Sequence, residues 1–136
     1  MRHVYVFGNG NLSFEAFLEH YVTPLGSLSL DETHFIVCDF RGVDTLTMEY
    51  LKSRTPCVTV FHIGERPRYL PDKYKTRVSQ WQVVGGFESD EARDEAAMTA
   101  CTHFLAIDQN TSAKRQSGTS RNIERCLALA KLPVNQ

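Results

Sequence analysis

Ser117-Gly118-Thr119, flanked by Lys114, Arg115 and Arg121, is the stretch of this 136-residue chain whose residue types best suit an anion. At a helix start, glycine admits an anion close to the backbone, the first amides lack intrahelical acceptors, and hydroxyls add donors. An ordinary helix cap uses the same residues, so both readings stand. Gly8-Asn9-Gly10-Asn11 is a second turn open to close approach. It holds part of a dinucleotide fingerprint, with Ser13 or Phe14 standing where the third glycine would lie. Asp39, Arg41 and Asp44 offer contacts to a sugar or a base, and Asp44 equally suits a helix start. His62 closes an apolar run, either as an acid or base or as a hydrogen-bonded structural residue. Between 66 and 77, Arg66, Arg68, Lys73, Lys75 and Arg77 interleave with Tyr69 and Tyr74. Cations with stacking rings suit a single strand of nucleic acid, and a solvated crossover loop has the same composition. Glu88, Asp90, Glu91, Asp94 and Glu95 form an acidic run that suits the positive end of a helix dipole.

Other chemistries lack their signatures. There is no GxSxG, HExxH, Walker A or HxE–PCxxC pattern. Cys38, Cys57, Cys101 and Cys126 are widely spaced, without a CxxC pair or a histidine at ligand spacing, so they read as buried thiols of a reducing compartment and no metal site is expected. Fifteen basic against sixteen acidic residues, a formal charge of −1, give no global pull toward nucleic acid or membrane. No stretch approaches the roughly 20 apolar residues needed to span a bilayer. The run before Gly8 is too short for a signal peptide, and the expectation is a cytoplasmic protein.

The elements that must position these residues follow from the apolar pattern. His3–Phe7, His34–Cys38, Cys57–His62 and His103–Ile107 are short, nearly continuous apolar runs, and each is followed by turn formers or polar residues. Trp81–Val84 reads as a further short strand broken by Gly85-Gly86, and Leu132-Pro133-Val134 as an edge strand. Phe14, Phe17, Leu18 and Tyr21 lie at helical spacing behind Ser13 as cap, with Pro24 and Gly26 ending that helix. Further helices are expected through Val43–Leu51, from Ser89 to Cys101, and through Ile123, Cys126, Leu127 and Ala130. Strands buried on both faces and alternating with helices imply one α/β domain over 1–136. The expected sheet has about five strands, mostly parallel, in a three-layer sandwich with helices on both faces. In such a sheet a ligand sits beyond the carboxyl ends of the strands, where strand order reverses. The turns at Gly8, Asp39 and Ser117 all fall there.

The order of these motifs resembles the SLOG superfamily, the Rossmann-like domains named for the Smf/DprA DNA-processing proteins and the Lonely-Guy enzymes, with the YspA/YpsA-like branch nearest. The likeness runs from Val4 to Val134: Arg41-Gly42-Val43-Asp44-Thr45-Leu46 is similar to an RGxDxLA element, Pro56–Phe61 to a pVtVf strand, Arg93–Met98 to a basic–acidic–Met helix, and Ser117-Gly118-Thr119 to an S-x-GT helix start. The resemblance implies a nucleotide or nucleoside derivative as ligand and no certain cofactor. Its ligand-binding residues would be Gly8, Asn9, Gly10, Arg41, Gly42, Asp44, Ser117, Gly118 and Thr119. It also implies a homodimer. Where Lonely-Guy enzymes carry PGGxGTxxE, this chain has Asn122 at the glutamate position. An activity on N-glycosidic bonds would then need another carboxylate, Glu95 or Asp94. A single-stranded nucleic acid on the 66–77 segment is the third reading, since DprA relatives bind DNA.

Overall fold

The computed structural model describes residues 1–134. Six strands form one sheet: β1 (Arg2–Val6), β2 (Thr33–Cys38), β3 (Val58–Ile63), β4 (Gln82–Phe87), β5 (His103–Leu105) and β6 (Leu132–Pro133). Their spatial order is β4-β3-β2-β1-β5-β6, and every neighbouring pair is parallel. The chain steps outward from β1 to β4, then returns across the sheet to place β5 on the free side of β1. Strand order therefore reverses at the β1–β5 boundary.

The helical segments are α1 (Phe14–Phe17), α2 (Thr23–Gly26), α3 (Val43–Leu51), α4 (Asp90–Ala100) and α5 (Gly118–Ala128). Strand side chains alternate between two cores, as a period of two requires. Val4, Val6, Phe35, Val37, Val58 and Val60 meet Phe17, Tyr21, Leu25, Met48 and Leu51 on the α1–α3 side. Tyr5, Phe7, Ile36, Cys38 and Phe104 meet Ala97, Met98, Cys101 and Cys126 on the α4–α5 side. The three-layer α/β sandwich is as the apolar pattern predicts, with one strand more and every pair of named strands parallel. All four cysteines are free thiols, three of them buried.

Two local expectations need correction. Pro24 does not end the first helix. A π turn (Leu18–Val22) joins α1 to α2, and Pro24 falls in the first turn of α2, where its missing N–H is tolerated. Nor does Gly85-Gly86 break β4. The strand starts one residue after Trp81, whose indole donates to the Thr55 carbonyl (2.9 Å), and runs through both glycines. Pairing slips by one residue there, with Gly86 at φ +90°. A side chain at Gly85 would collide with the His62 ring. His62 is itself buried and its Nδ1 donates to the Ile63 carbonyl (3.0 Å), which makes it a structural residue of this bulge.

The 66–77 segment keeps Arg66, Arg68, Lys73, Lys75 and Arg77 exposed, while other groups anchor it to the body of the fold. Tyr69 and Leu70 pack on the core, the Tyr69 hydroxyl donates to Glu49, and the Arg77 amide donates to the Lys52 carbonyl (2.7 Å). Tyr74 alone of its two tyrosines is exposed (75%), with the Lys75 ammonium 5.4 Å from its ring centre.

Two glycines at positive φ separate strain from space. Gly42 (φ +76°) lies against the β1 loop, where an added Cβ would stand 2.5 Å from the Asn9 carbonyl oxygen, whereas Gly86 has open space around it. Gly86→Ala should therefore cost about 1–2 kcal/mol, the left-handed penalty alone. Gly42→Ala adds a backbone collision and should cost about 3 kcal/mol or more. Denaturant unfolding of the two variants distinguishes these outcomes.

Candidate functional site

Parallel strands that separate leave backbone groups to be satisfied by something other than the ladder. The last β1–β5 ladder bond runs from the Phe7 amide to the Leu105 carbonyl (3.1 Å). Beyond it the Tyr21 hydroxyl, carried by the π turn, donates to the Phe7 carbonyl (2.9 Å) and accepts from the Ile107 amide (3.0 Å). Next, Asn9 spans the gap: its Oδ1 accepts from the Gln109 amide (2.8 Å), and its Nδ2 donates to Asp108 (2.9 Å) and Thr119 (3.3 Å). Gly8 is required here because a Cβ would strike the Tyr21 hydroxyl. Side chains thus continue the ladder while the two strands part.

The opening is a cavity of about 570 Å³ at the carboxyl end of the sheet. Of the residues singled out by sequence, Gly8, Asn9, Gly10, Arg41, Asp44, Asp94, Ser117, Gly118 and Thr119 line it. Gly42 stands behind the wall, holding the Arg41 turn against the backbone of Asn9 and Gly10. Glu95 is exposed and outside the cavity, so of the two carboxylates considered for chemistry only Asp94 faces it. Their order on α4 explains the difference, because consecutive helical residues point about 100° apart.

One wall is the start of α5. Ser117 caps the helix, its Oγ accepting from the Ser120 amide (3.0 Å) and donating to Asp108 (2.6 Å). Asp108 also takes the Asn110 and Thr111 amides (3.1 and 3.2 Å). Burial would raise its pKa, but the hydrogen bonds from Ser117, Thr111 and Asn9 outweigh that and hold it well below the usual carboxylate range. With Ser117 committed to the cap, the Gly118 and Thr119 amides have no acceptor among the described residues. Arg115, Arg121 and Arg125 line the cavity beside them. The serine meets the capping reading of Ser117-Gly118-Thr119, and its cap leaves the next two amides open.

The opposite wall is built on Arg93, which sequence placed in a weakly matched helix and did not select. Its buried guanidinium meets Asp39 (2.9 Å), Asp90 (2.8 Å) and Asp94 (2.8 Å). Asp94 in turn accepts from Asn122 Nδ2 (3.0 Å), so the residue at the glutamate position ties α5 to α4. Asp39, expected as a sugar or base contact, is withdrawn from the cavity with a fully buried carboxylate. It accepts from Arg93 and from the Arg68 amide (2.9 Å), Nε (3.3 Å) and Nη2 (3.2 Å). Burial pushes the Asp39 pKa up, and its bonds to Arg68 and Arg93 bring it below the ordinary value. A spacing rule finds a carboxylate at a strand end, but only the fold shows that two arginines saturate it.

Asp44 differs from its neighbours. It lines the cavity at the first turn of α3, is 6% exposed, and accepts from the Phe40 amide on Oδ2 (3.0 Å). Burial is the largest influence on it; the Phe40 amide and Arg93 favour its charge, while Asp94 and Asp39 oppose it, leaving its pKa raised to about 7. Phe40 and Arg41 complete this side, the Arg41 guanidinium lying 5.0 Å from the Phe40 ring centre. Among the described residues no group of three or more His, Cys, Asp or Glu is placed to hold a metal ion, and no helix is long and apolar enough to cross a membrane.

Two tests follow from this wiring. Asp39→Ala takes from the buried Arg93 one of its three carboxylates and from Arg68 one of its two, and should cost about 3 kcal/mol, while Glu95→Gln, on the exposed face, should change stability by less than about 0.5 kcal/mol. The pH dependence of Asp44 has the opposite sign to that of Asp39. Its protonated form stabilises the fold fully below its unfolded pKa near 4, and that contribution is lost as pH rises through about 7. Melting temperatures at pH 5 and pH 8 should therefore differ less in Asp44→Asn than in the wild type.

No protein-family model matches the chain, and no curated protein matches it in sequence. Among solved structures, DNA processing protein A from Helicobacter pylori, described for its single-stranded DNA binding mode, aligns with a TM-score of 0.60. The alignment covers 99% of this chain and 76% of that one, at 10% sequence identity. At that identity the likeness shows a shared fold.

Proposed function

We propose that the chain is a nucleotide-binding domain, taking a nucleotide or nucleoside derivative with its phosphate on the α5 N-terminus. The observation that carries this reading is the pair of open Gly118 and Thr119 amides, facing a cavity at the strand-order reversal with Arg115 and Arg121 beside them. An eleven-residue helix presents both a partial positive charge and free donors at that end. Gly8, Asn9, Gly10, Arg41 and Asp44 surround the remainder of the ligand, with Gly42 supporting Arg41 from behind. The fold shared with DNA processing protein A supports placing the chain among SLOG-type domains as one domain. The YspA/YpsA-like branch and a homodimer rest on the motif resemblance. A cytoplasmic setting rests on the free thiols.

No turnover is assigned. Asp94, the carboxylate considered for an N-glycosidic reaction, is held by Arg93 and Asn122. A second reading, a single strand of nucleic acid, is favoured by the DNA-binding description of the fold neighbour. The 66–77 segment serves it less well than its composition implies, because Arg68 is engaged by Asp39 and Asp90, and Tyr69 by Glu49.

Thermal unfolding with nucleoside mono-, di- and triphosphates and sugar phosphates tests the first reading. A ligand at about 100 times its Kd stabilises the fold by about 2.7 kcal/mol. Gly118 has no heavy atom nearer than 3.7 Å to an added Cβ, so Gly118→Asp adds charge without a collision. That variant and Thr119→Ala should lose most of the stabilisation. A flat response across the panel, with labelled single strands binding in a salt-sensitive way, would transfer the assignment to the second reading.

A further inference from the structure

Asp44 stands out among the carboxyl groups in and behind the cavity, of which Glu91 is exposed to water. Asp39, Asp90 and Asp94 each contact an arginine, whereas Asp44 receives only the Phe40 amide, on one oxygen. Its other oxygen has no hydrogen-bond partner among the described residues, although the residue is more than nine-tenths buried and lines the cavity. Its surroundings come from four elements: Tyr5 of β1, Tyr21 of the π turn, Cys38 and Asp39 at the end of β2, and Arg93 and Asp94 of α4. Arg93 is the one cation among them, and it already faces Asp39, Asp90 and Asp94. A fourth carboxylate on the same guanidinium has no counter-charge left, and a proton on the free oxygen removes the conflict.

The same corner carries a flat surface. Phe40, whose amide holds Asp44, has the guanidinium groups of Arg41 and Arg68 at 5.0 and 5.4 Å from its ring centre, and Phe40 and Arg41 both line the cavity. Planar rings and guanidinium planes suit a nucleobase. Asp44 and this shelf stand on the β2 side of the β1 loop, while Gly118 and Thr119 stand on the β5 side. A nucleotide with its phosphate on α5 therefore has its base directed toward the shelf.

We infer that Asp44 is the base-reading residue of the cavity and acts as a neutral acid, its protonated free oxygen donating to an unprotonated ring nitrogen or carbonyl oxygen of the bound base. The inference rests on the nucleotide reading above and deepens it by naming the ligand's second recognition element. A burial-raised carboxyl near neutrality makes the interaction strongest in mild acid and progressively lost above pH 7.

Three measurements together decide it. Carbon-13 NMR of the Asp44 carboxyl in the ligand-free protein should show a midpoint near 7, and a midpoint in the ordinary aspartate range overturns the proton assignment independently of any ligand. Affinities of the four common nucleoside 5′-monophosphates and of ribose 5-phosphate are then followed from pH 5.5 to 8.5. The phosphate's own titration near pH 6 affects both classes alike, so their affinity ratio isolates the base. For the wild type, the ratio for at least one monophosphate should fall by about tenfold per pH unit above the midpoint, because one proton is linked to binding. Asp44→Asn, an uncharged isostere that still donates, should keep the low-pH ratio at every pH, and Asp44→Ala should lose it throughout. A ratio that rises with pH, or an Asp44→Asn variant that loses the preference, means an ionised acceptor and overturns the inference. Ribose 5-phosphate binding as well as every monophosphate overturns base reading alone. Failure of all five probes to bind overturns the nucleotide reading beneath it.

Discussion

The parting of β1 from β5 is the constraint on which the rest of the structure depends. Two parallel strands that stop pairing expose amides and carbonyls in an interior where leaving them unmet costs about 1–3 kcal/mol each. Here the Tyr21 hydroxyl and the Asn9 amide replace the missing rungs, one after the other. Both devices have local origins. Tyr21 reaches the gap from a π turn, a helix defect that changes where the following side chains point. Asn9 reaches it because glycines stand on either side and let the loop press against Tyr21, Phe40 and Arg41. The cavity opens where these side chains have taken over from the ladder.

The two walls are held by opposite electrostatic arrangements. On the α5 side, one carboxylate, Asp108, gathers amides and hydroxyls and organises the loop before the helix, leaving the next amides open. On the α4 side, one cation, Arg93, gathers three carboxylates and is reinforced by Arg68. Buried ion pairs of this kind contribute little net stability, since desolvation offsets the attraction, yet losing one partner is costly. Their effect here is positional. Asp39 joins the end of β2 to α4 and to the 66–77 segment, and Asn122 joins α4 to α5 through Asp94. The walls are thereby fixed relative to one another, and Asp44 is left without a counter-charge.

The fold was legible because buried parallel strands announce themselves as apolar runs. Val4, Val6, Val58 and Val60 on one face and Tyr5, Phe7 and Cys38 on the other carry the three layers directly. The glycine and serine turns of the site were legible for a similar reason, since close approach and capping restrict residue type. Arg93 was not. A charged residue inside an acidic helix reads as surface, and its burial arises only when Asp39, from a distant strand, meets it. The π turn was equally invisible, because Phe17 and Tyr21 fit an ordinary helix period and Pro24 reads as its stop. Asp39 and Glu95 erred in the same way: sequence gives the type of a carboxylate but not what it faces.

Two of the carboxylates at this end of the sheet are held in one charge state by their partners. Activating a water or a hydroxyl needs a group that can accept a proton, and its neighbours must not already hold that group in one charge state. Asp94 fails that requirement, with Arg93 and Asn122 on its oxygens, and so does Asp39, with two arginines. Asp44 lacks such partners; its pKa is raised through burial, and it sits beside the Phe40–Arg41 pair. On the proposed reading, free amides at one side of the β1 loop and the Phe40–Arg41 pair with Asp44 at the other would take a molecule with an anionic end and a flat end. On that reading specificity comes from the distance between the two walls, which the Arg93 and Asp108 networks set.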